Sequence, residues 1–126
     1  MRVLADTSVW VSHFRSADAE LSRMLDNDQV LIHPLILMEL ACGTPPAPRQ
    51  RTLALLRQLQ CAREASVHEI LDFIEREHLY GHGCGAVDIS LLASTLITPE
   101  TKLWTLDKRL NRLAQRLGCH WPTAYP

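Results

Sequence analysis

Short apolar runs alternate with helically patterned segments along this chain, and that alternation constrains its fold more than any other feature. Residues 2–5, 30–33 and 102–105 are apolar runs typical of short buried strands. Helical spacing or helix-start signals mark the segments between and after them, and residues 119–121 could add a last edge strand. Strands that alternate with helices predict an α/β domain with a short, mainly parallel sheet and helices on both faces.

The predicted helices have recognisable boundaries. Pro34 suits the first turn of a helix over residues 35–41, and Gly43 ends it. Ser66 and Glu69 have the spacing of a capping box that starts the next amphipathic segment. Residues 87–97 are apolar almost all round, which predicts a buried helix, and the helix over residues 106–117 ends at Gly118.

Composition and charge set limits on the class of protein. The 126 residues fit one domain, 1–126, and a hydrophobic fraction of 47% with 21% charged residues is ordinary for a soluble globular chain. The chain has no apolar run of the roughly 18–20 residues that span a bilayer and no signal-peptide pattern at its start, so we expect a cytoplasmic protein. Because the formal net charge is -1, any nucleic-acid contact must come from a local basic patch or from metal ions.

The cysteines, histidines and tryptophans favour structural roles. The four cysteines are scattered and are expected to be reduced core residues rather than a disulfide framework. His82 with Cys84, and Cys119 with His120, lack the repeated spacing of a zinc site. Trp10 and Trp104 lie next to candidate site segments, where core packing is favoured over base stacking.

Two acidic residues lie where predicted strands end. Asp6 directly follows the first strand, and Asp107 follows the strand over residues 102–105 by two positions. Ligands of open α/β sheets bind at the carboxyl ends of the strands, which makes both residues candidates for a site. Since Asp is also a favoured helix N-cap, a purely structural role stays open for each.

Two further acids interrupt apolar helices. Glu39 lies in the segment LILMELA and Asp88 in AVDISLLA, with no Lys or Arg within one helical turn of either. A buried carboxylate costs several kcal/mol unless it is paired or binds a cation. A salt bridge from elsewhere in the fold is one solution, and a metal ion is another. Oxygen-only ligands favour Mg²⁺ or Mn²⁺ over zinc, and such an ion supports phosphodiester hydrolysis.

The motifs around these acids resemble those of a known family. The segment LADTS at Asp6, the lone helical Glu39, GAVDISLLA at Asp88 and LWTLDKRL at Asp107 follow the order and spacing of PIN domains. In length and motif the chain is most similar to the VapC toxin branch, and the resemblance covers essentially the whole chain. It implies an α/β PIN-like three-layer fold.

The resemblance also implies an activity, a cofactor and partners. It implies a Mg²⁺- or Mn²⁺-dependent endoribonuclease, the toxin of a VapBC-type toxin–antitoxin system, with a VapB-like antitoxin, RNA as substrate and a homodimer as its common assembly. Asp6, Glu39, Asp88 and Asp107 become the catalytic, metal-binding acids. Ser8 and Thr105 take supporting roles, in which they orient acids or water by hydrogen bonds. We expect in-line attack by water, leaving a 5′-phosphate and a 3′-hydroxyl.

Two details of this site stay open in the sequence. Residues 90–93 hold no additional acid, and Asn111 is only a neutral candidate ligand, so one or two ions could bind. The antitoxin groove is expected near the helices around residues 10–14 and 35–40.

The helix after Asp107 carries the candidate RNA contacts. Lys108, Arg112 and Arg116 fall on one face at spacings of four, with Arg109 nearby, and could contact phosphates. A solvated helix face is an equally weighted alternative. Arg49, Arg51 and Arg57 form a second candidate patch of lower weight.

Three other functions are compatible with parts of the pattern. The first is a PIN-like module that is catalytically weak and binds RNA or a partner. The second is a phospho-accepting signalling domain, which has an acidic Mg²⁺ pocket but usually two acids after the first strand. The third is a nuclease whose substrate is DNA.

Overall fold

A three-stranded parallel sheet forms the centre of the computed structural model, which describes residues 1–122. Its order is β2-β1-β3, with β1 (Arg2–Ala5) between β2 (Val30–Leu31) and β3 (Thr101–Trp104). Val3 is paired with Val30, and Ala5 with Trp104. The last four residues of the predicted domain, 123–126, lie outside the described part.

Single bridges extend the sheet at both edges. Ile32 bridges to Cys61 beside β2, and Leu103 bridges to His120 beside β3, both parallel. The predicted strand over residues 30–33 is therefore shorter than expected, because His33 already serves as the N-cap of the next helix. The predicted strand at 119–121 is reduced to the bridge at His120.

Seven helices connect and cover these strands in the described residues. They are α1 (Thr7–Arg15), α2 (Ala19–Asp26), α3 (Pro34–Cys42), α4 (Arg49–Arg57), α5 (Val67–Glu77), α6 (Ala86–Ile97) and α7 (Lys108–Arg116).

The strand order explains why the helices occupy two layers. The chain moves one way across the sheet from β1 to β2 and on, through α3 and α4, to the edge bridge at Cys61, and the opposite way from Cys61 through α5 and α6 to β3. Since crossovers between parallel strands are right-handed, connections that run in opposite directions lie on opposite faces. Accordingly α1, α3 and α4 pack together, while α5 packs on α6, and α6 and α7 contact β3. The predicted α/β architecture is confirmed.

Local sequence signals determine most of the helix starts. Ser66 and Glu69 form the predicted capping box at α5. Pro34 occupies the first turn of α3, as predicted. Residues 89–95 of α6 are buried without interruption, which agrees with its apolar sequence.

The core is built around the sheet and α6. Val3, Leu4 and Ala5 of β1 are fully buried, as expected for the central strand. Trp10 and Trp104 are both buried, which confirms the prediction of core packing. All four cysteines are free thiols, but only Cys119 is buried, so the expectation of core positions is wrong for Cys42 and Cys61, which are exposed.

In residues 1–122, every helix is too short or too polar to cross a membrane.

Candidate active site

Asp6 occupies the carboxyl end of the central strand, where it is buried. It is the N-cap of α1, and its Oδ1 accepts a hydrogen bond from the Val9 backbone N–H at 3.2 Å. Ser8 Oγ donates to Oδ1 and Thr105 Oγ1 donates to Oδ2. Both carboxylate oxygens are therefore fixed by neighbouring side chains, the second of which comes from the far end of the chain.

The two hydroxyl groups also hold the loop that follows β3. Ser8 Oγ accepts from the Leu106 N–H at 3.0 Å, and Thr105 Oγ1 accepts from the Asp107 N–H at 3.0 Å. Each hydroxyl thus donates to Asp6 and accepts from the backbone. This arrangement connects the ends of β1 and β3 through the Asp6 carboxylate.

Burial raises the pKa of Asp6, and its hydrogen bonds from Ser8, Thr105 and the backbone oppose that effect. The charged form of this carboxylate is disfavoured by removal from water and is supported by directed donors. A cation beside it would support the charged form further.

Asp88 lies in the first turn of α6 and is partly buried. Burial is the main cause that raises its pKa, and the negative charges of Asp107, Asp6 and Glu39 raise it further. A backbone hydrogen bond from Gly85 opposes the increase. The fold therefore brings the other three sequence-predicted acids within electrostatic range of Asp88, although the four are spread over positions 6 to 107.

The position of Glu39 contradicts the expectation that this acid is buried on an apolar helix. Its side chain is exposed, because α3 buries Ile36 and Leu40 and turns Met38 and Glu39 outward. The argument from the free energy of burying a charge was therefore wrong for this residue. What holds the carboxylate is a hydrogen bond of 2.6 Å that Thr7 Oγ1 donates to its Oε1.

Asp107 combines the two roles that the sequence left open. It is the N-cap of α7, where its Oδ1 accepts from the backbone N–H groups of Arg109 and Leu110 at 2.9 and 3.1 Å. It also lies close enough to Asp88 to raise the pKa of that residue. An N-cap and a site acid are therefore compatible at the same position.

Two residues near the acids were missed by the sequence reasoning. Thr7 contacts Glu39, and its position directly after Asp6 was the available signal. Cys84 is partly buried, and burial together with the charges of Asp88 and Asp107 raises the pKa of its thiol. Its position in the glycine-rich loop gave no comparable signal.

The donor set fits a hard divalent cation, although residues 1–122 contain no group of three His, Cys, Asp or Glu side chains already arranged around a metal position. Carboxylate oxygens, which all four acids supply, are the ligands that Mg²⁺ and Mn²⁺ prefer. Asn111, one turn after Asp107, has a buried Oδ1 without a hydrogen-bond partner in the described residues. It is a further neutral oxygen donor at this end of α7.

The basic residues of α7 are not equivalent. Arg116 donates to the Glu77 carbonyl at 2.6 Å and so caps the end of α5. The Arg109 guanidinium lies against Gly83, where an added Cβ would be 2.8 Å from Nη1. Lys108 and Arg112 are exposed and have no hydrogen bond or ion pair within the described residues. Of the predicted phosphate contacts, only Arg116 uses its guanidinium in a hydrogen bond within the described residues, and Arg109 is exposed but packed against Gly83.

Two cavities lie beside α1. The Glu39 cavity has a volume of about 450 Å³ and is lined by Thr7, Val11, Phe14, Arg15, Glu39, Leu40, Gly43, Thr44, Pro45 and Pro46. The Trp10 cavity has a volume of about 440 Å³ and is lined by Trp10, His13, Phe14, Leu25, Pro46, Thr52, Leu55, Leu56 and Leu59. They share Phe14 and Pro46, and only the first includes one of the four acids.

Residues 3–116 match the family model of the PIN domain, so the chain belongs to the PIN-domain family. It is 40% identical over 116 residues to ribonuclease VapC32 of Mycobacterium tuberculosis, with the same identity for strains CDC 1551 / Oshkosh and ATCC 25618 / H37Rv. The match covers 92% of this chain and 93% of that relative.

A solved structure shares the fold. The crystal structure of PAE2754 from Pyrobaculum aerophilum superposes with a TM-score of 0.57 at 17% sequence identity, covering 94% of this chain and 90% of the other. At this identity the similarity concerns the fold alone. The family model and this structure together confirm the predicted PIN fold.

Proposed function

We propose that this protein is a Mg²⁺-dependent endoribonuclease, with Mn²⁺ as a possible substitute, and the toxin of a VapBC-type toxin–antitoxin pair. The observation that carries the proposal is the electrostatic coupling of Asp88 to Asp6, Asp107 and Glu39 at one end of a PIN-domain sheet. The similarity to a ribonuclease named VapC32 supports RNA as the substrate.

In this proposal the four acids hold the cation, and the other residues keep the acids in place. When bound, a divalent cation polarises the phosphodiester and lowers the pKa of the attacking water. Ser8 and Thr105 orient Asp6 through its two oxygens. Thr7 holds Oε1 of Glu39 and leaves Oε2 available. The expected products carry 5′-phosphate and 3′-hydroxyl ends.

Substrate binding would depend on few cationic groups. Lys108 and Arg112 are separated by one turn on α7, immediately after Asp107, so their charges can contact phosphates that flank the scissile bond. Arg109 and Arg116 retain secondary roles in this proposal, because each already contacts the fold.

The Trp10 cavity is the proposed site of the antitoxin. Its leucines and Trp10 are provided by α1, α2, α4 and the turn after α4, and it has no Asp, Glu, Lys or Arg in its described lining. An apolar groove of this kind fits the apolar face of a short amphipathic segment. We also propose a homodimer, which the molar mass in solution would test.

The decisive experiment compares cleavage of labelled single-stranded RNA by the wild type, Asp6→Asn and Asp88→Asn, with Mg²⁺, with Mn²⁺ and with EDTA. We expect cleavage by the wild type only, with a divalent ion only, and with 5′-phosphate ends. Asp72→Asn, an exposed acid of α5, is the matched control and should cleave normally. Full activity in both site variants would overturn the assignment.

The same experiment distinguishes this ribonuclease from the alternative, a catalytically weak module that binds RNA or a partner. Such a protein would retard RNA in a gel shift and leave it intact under every ion condition. Replacement of the RNA by DNA of the same sequence tests the substrate class.

A further inference from the structure

We propose that the Glu39 cavity receives one unstacked base of the RNA substrate, next to the scissile phosphodiester. The proposal rests on the proposed ribonuclease function and adds a position at which the enzyme distinguishes its substrates. It assigns a role to residues of α1 and of the loop after α3 that the acid site does not use.

The cavity is continuous with the acid site. Glu39 is one of the four acids, and both Glu39 and its hydrogen-bond donor Thr7 line the cavity. A nucleotide whose phosphate lies at the acids can therefore place its own base, or that of its neighbour, in this space. The volume of about 450 Å³ is within the range of roughly 300–1,000 Å³ for sites that enclose small organic groups.

The lining has the chemistry that a base needs. Phe14, Pro45 and Pro46 provide apolar surface for the faces of the ring. Arg15 is exposed and has no hydrogen bond or ion pair in the described residues, so its planar guanidinium can stack or donate. The Glu39 carboxylate can accept from an exocyclic amino group. Single-stranded RNA is commonly recognised by this combination of stacking and polar contacts to the base edge.

The low net charge of the molecule means that a contact with a base would be important for RNA affinity. The formal net charge is -1, and the acids themselves repel phosphate. Arg49, Arg109 and Arg116 contact the fold, which lowers the number of arginines that are free for the RNA backbone. Since electrostatic attraction is limited, a stacked base has to supply part of the affinity.

Comparison with the neighbouring Trp10 cavity favours RNA as the occupant of the Glu39 cavity. It is lined by leucines without a charged carboxylate or guanidinium, which suits apolar side chains of a protein segment. The Glu39 cavity instead contains one acid and one arginine beside its apolar wall. The polar groups favour a base over an apolar side chain as its occupant.

Two substitutions fill the cavity from opposite walls. Val11→Trp adds a ring from α1 at a position that is 36% exposed. Gly43→Leu adds a side chain from the loop after α3, where φ is −98° and an added Cβ would meet only backbone oxygens, the nearest being Leu40 O at 3.6 Å. Val67→Trp, on the exposed surface of α5, is the control for an added tryptophan.

The experiment first selects a preferred oligonucleotide by mapping wild-type cleavage in a random-sequence RNA pool. An abasic scan of that oligonucleotide then measures kcat/KM for each enzyme. For the wild type we expect one position flanking the cut at which base removal lowers kcat/KM by about 10-fold or more. Each filled variant should cleave the intact RNA as slowly as the wild type cleaves that abasic RNA, with no further loss on base removal. Val67→Trp should behave as the wild type.

Several results would overturn the proposal. One is that base removal at every flanking position leaves the wild-type kcat/KM unchanged. Another is that the filled variants cleave at wild-type rates. A third is that base removal lowers kcat/KM of the filled variants by the same factor as in the wild type, so that the two losses multiply. Absence of any wild-type cleavage would instead contradict the proposed function, so the two failures are distinguishable.

Discussion

At the scale of single residues, Asp88 shows how a site acid can destabilise the fold that carries it. Burial and three neighbouring carboxylates raise its pKa above the ordinary value of 3.8. The folded protein therefore holds this proton to a higher pH than the unfolded chain does. Stability falls as the pH rises from the unfolded pKa through the folded one, and the full loss is present above it.

We expect Asp88→Asn to raise the melting temperature of the metal-free protein at neutral pH and to abolish RNA cleavage. The amide has no charge to bury and keeps an acceptor for the Gly85 N–H. The RNA cleavage assay tests the loss of activity, and thermal unfolding in EDTA tests the gain in stability. Repeating the unfolding with saturating Mg²⁺ should stabilise the wild type and leave the variant unchanged. A variant that is less stable than the wild type in EDTA would contradict this account, and Asp72→Asn serves as the control.

Thr7 is the residue that positions Glu39. An exposed Glu side chain has several rotamers, and the hydrogen bond of 2.6 Å from Thr7 Oγ1 selects among them. We expect Thr7→Val to weaken Mn²⁺ binding by about 10-fold, the lower end of the effect typical of residues that orient metal ligands. Thr7→Ser keeps the hydroxyl and should restore the wild-type affinity.

Calorimetric titration of RNA-free protein with Mn²⁺ tests the role of Thr7 without depending on activity. A purely structural role would lower the melting temperature and leave the affinity unchanged. Equal Mn²⁺ affinities for Thr7→Val and the wild type would show that Glu39 does not depend on this contact.

At the scale of elements, α3 depends on a titratable N-cap. His33 is buried, and its Nδ1 accepts from the Leu35 N–H at 3.0 Å, which requires an unprotonated Nδ1. Burial lowers the pKa of His33, and the charge of Glu64 opposes that effect. As the pH falls below the unfolded value of 6.5, the unfolded chain binds a proton that the folded protein excludes, so stability decreases.

We expect His33→Asn to lose this pH dependence, because asparagine is a good N-cap and does not titrate. Denaturant unfolding at intervals between pH 7.5 and pH 5, values chosen to span roughly the ordinary histidine pKa, would show a smaller decline for the variant. His68→Asn replaces an exposed histidine of α5 and should keep the wild-type slope. Identical slopes in the wild type and His33→Asn would rule out the cap as the titrating group.

At the scale of the whole molecule, the small net charge makes RNA binding depend on a few local cations. The structure separates the α7 residues that the sequence grouped together, since Arg116 caps α5 while Lys108 and Arg112 extend into solvent. Each lost phosphate contact to single-stranded RNA lowers the slope of log affinity against log salt by roughly 0.7.

We expect Lys108→Ala and Arg112→Ala each to reduce that salt slope by roughly 0.7 and to leave the melting temperature nearly unchanged. Arg116→Ala should lower the melting temperature, because the Glu77 carbonyl loses its donor, with a smaller change in slope. Fluorescence anisotropy of a labelled RNA across a salt series, with Asp88→Asn as the background to prevent cleavage, measures the slopes. If Arg116→Ala reduced the salt slope as much as Lys108→Ala or Arg112→Ala does, Arg116 would have to be assigned to the RNA interface.

The four candidate site acids differ in how strongly the sequence alone supported them. Asp6 and Asp107 follow from strand ends, which periodicity reveals. Asp88 interrupts an apolar helix, and its partial burial agrees with that signal. Glu39 was supported by an argument from burial that the structure contradicts, so the family resemblance alone makes it a candidate site residue, and its charge acts on Asp88. Its contact with Thr7 joins residues 32 positions apart and depends on how α1 packs on α3.

The α/β alternation, the helix caps and the α6 core segment could be predicted from the sequence, because these follow from periodicity and from contacts between residues a few positions apart. The strand order β2-β1-β3, the outward face of α3 and the different contacts of Arg112 and Arg116 could not be predicted and are seen in the folded protein. These depend on which surfaces of distant elements pack together, and hydrophobic burial is non-directional, so the pattern along one helix does not specify its partner.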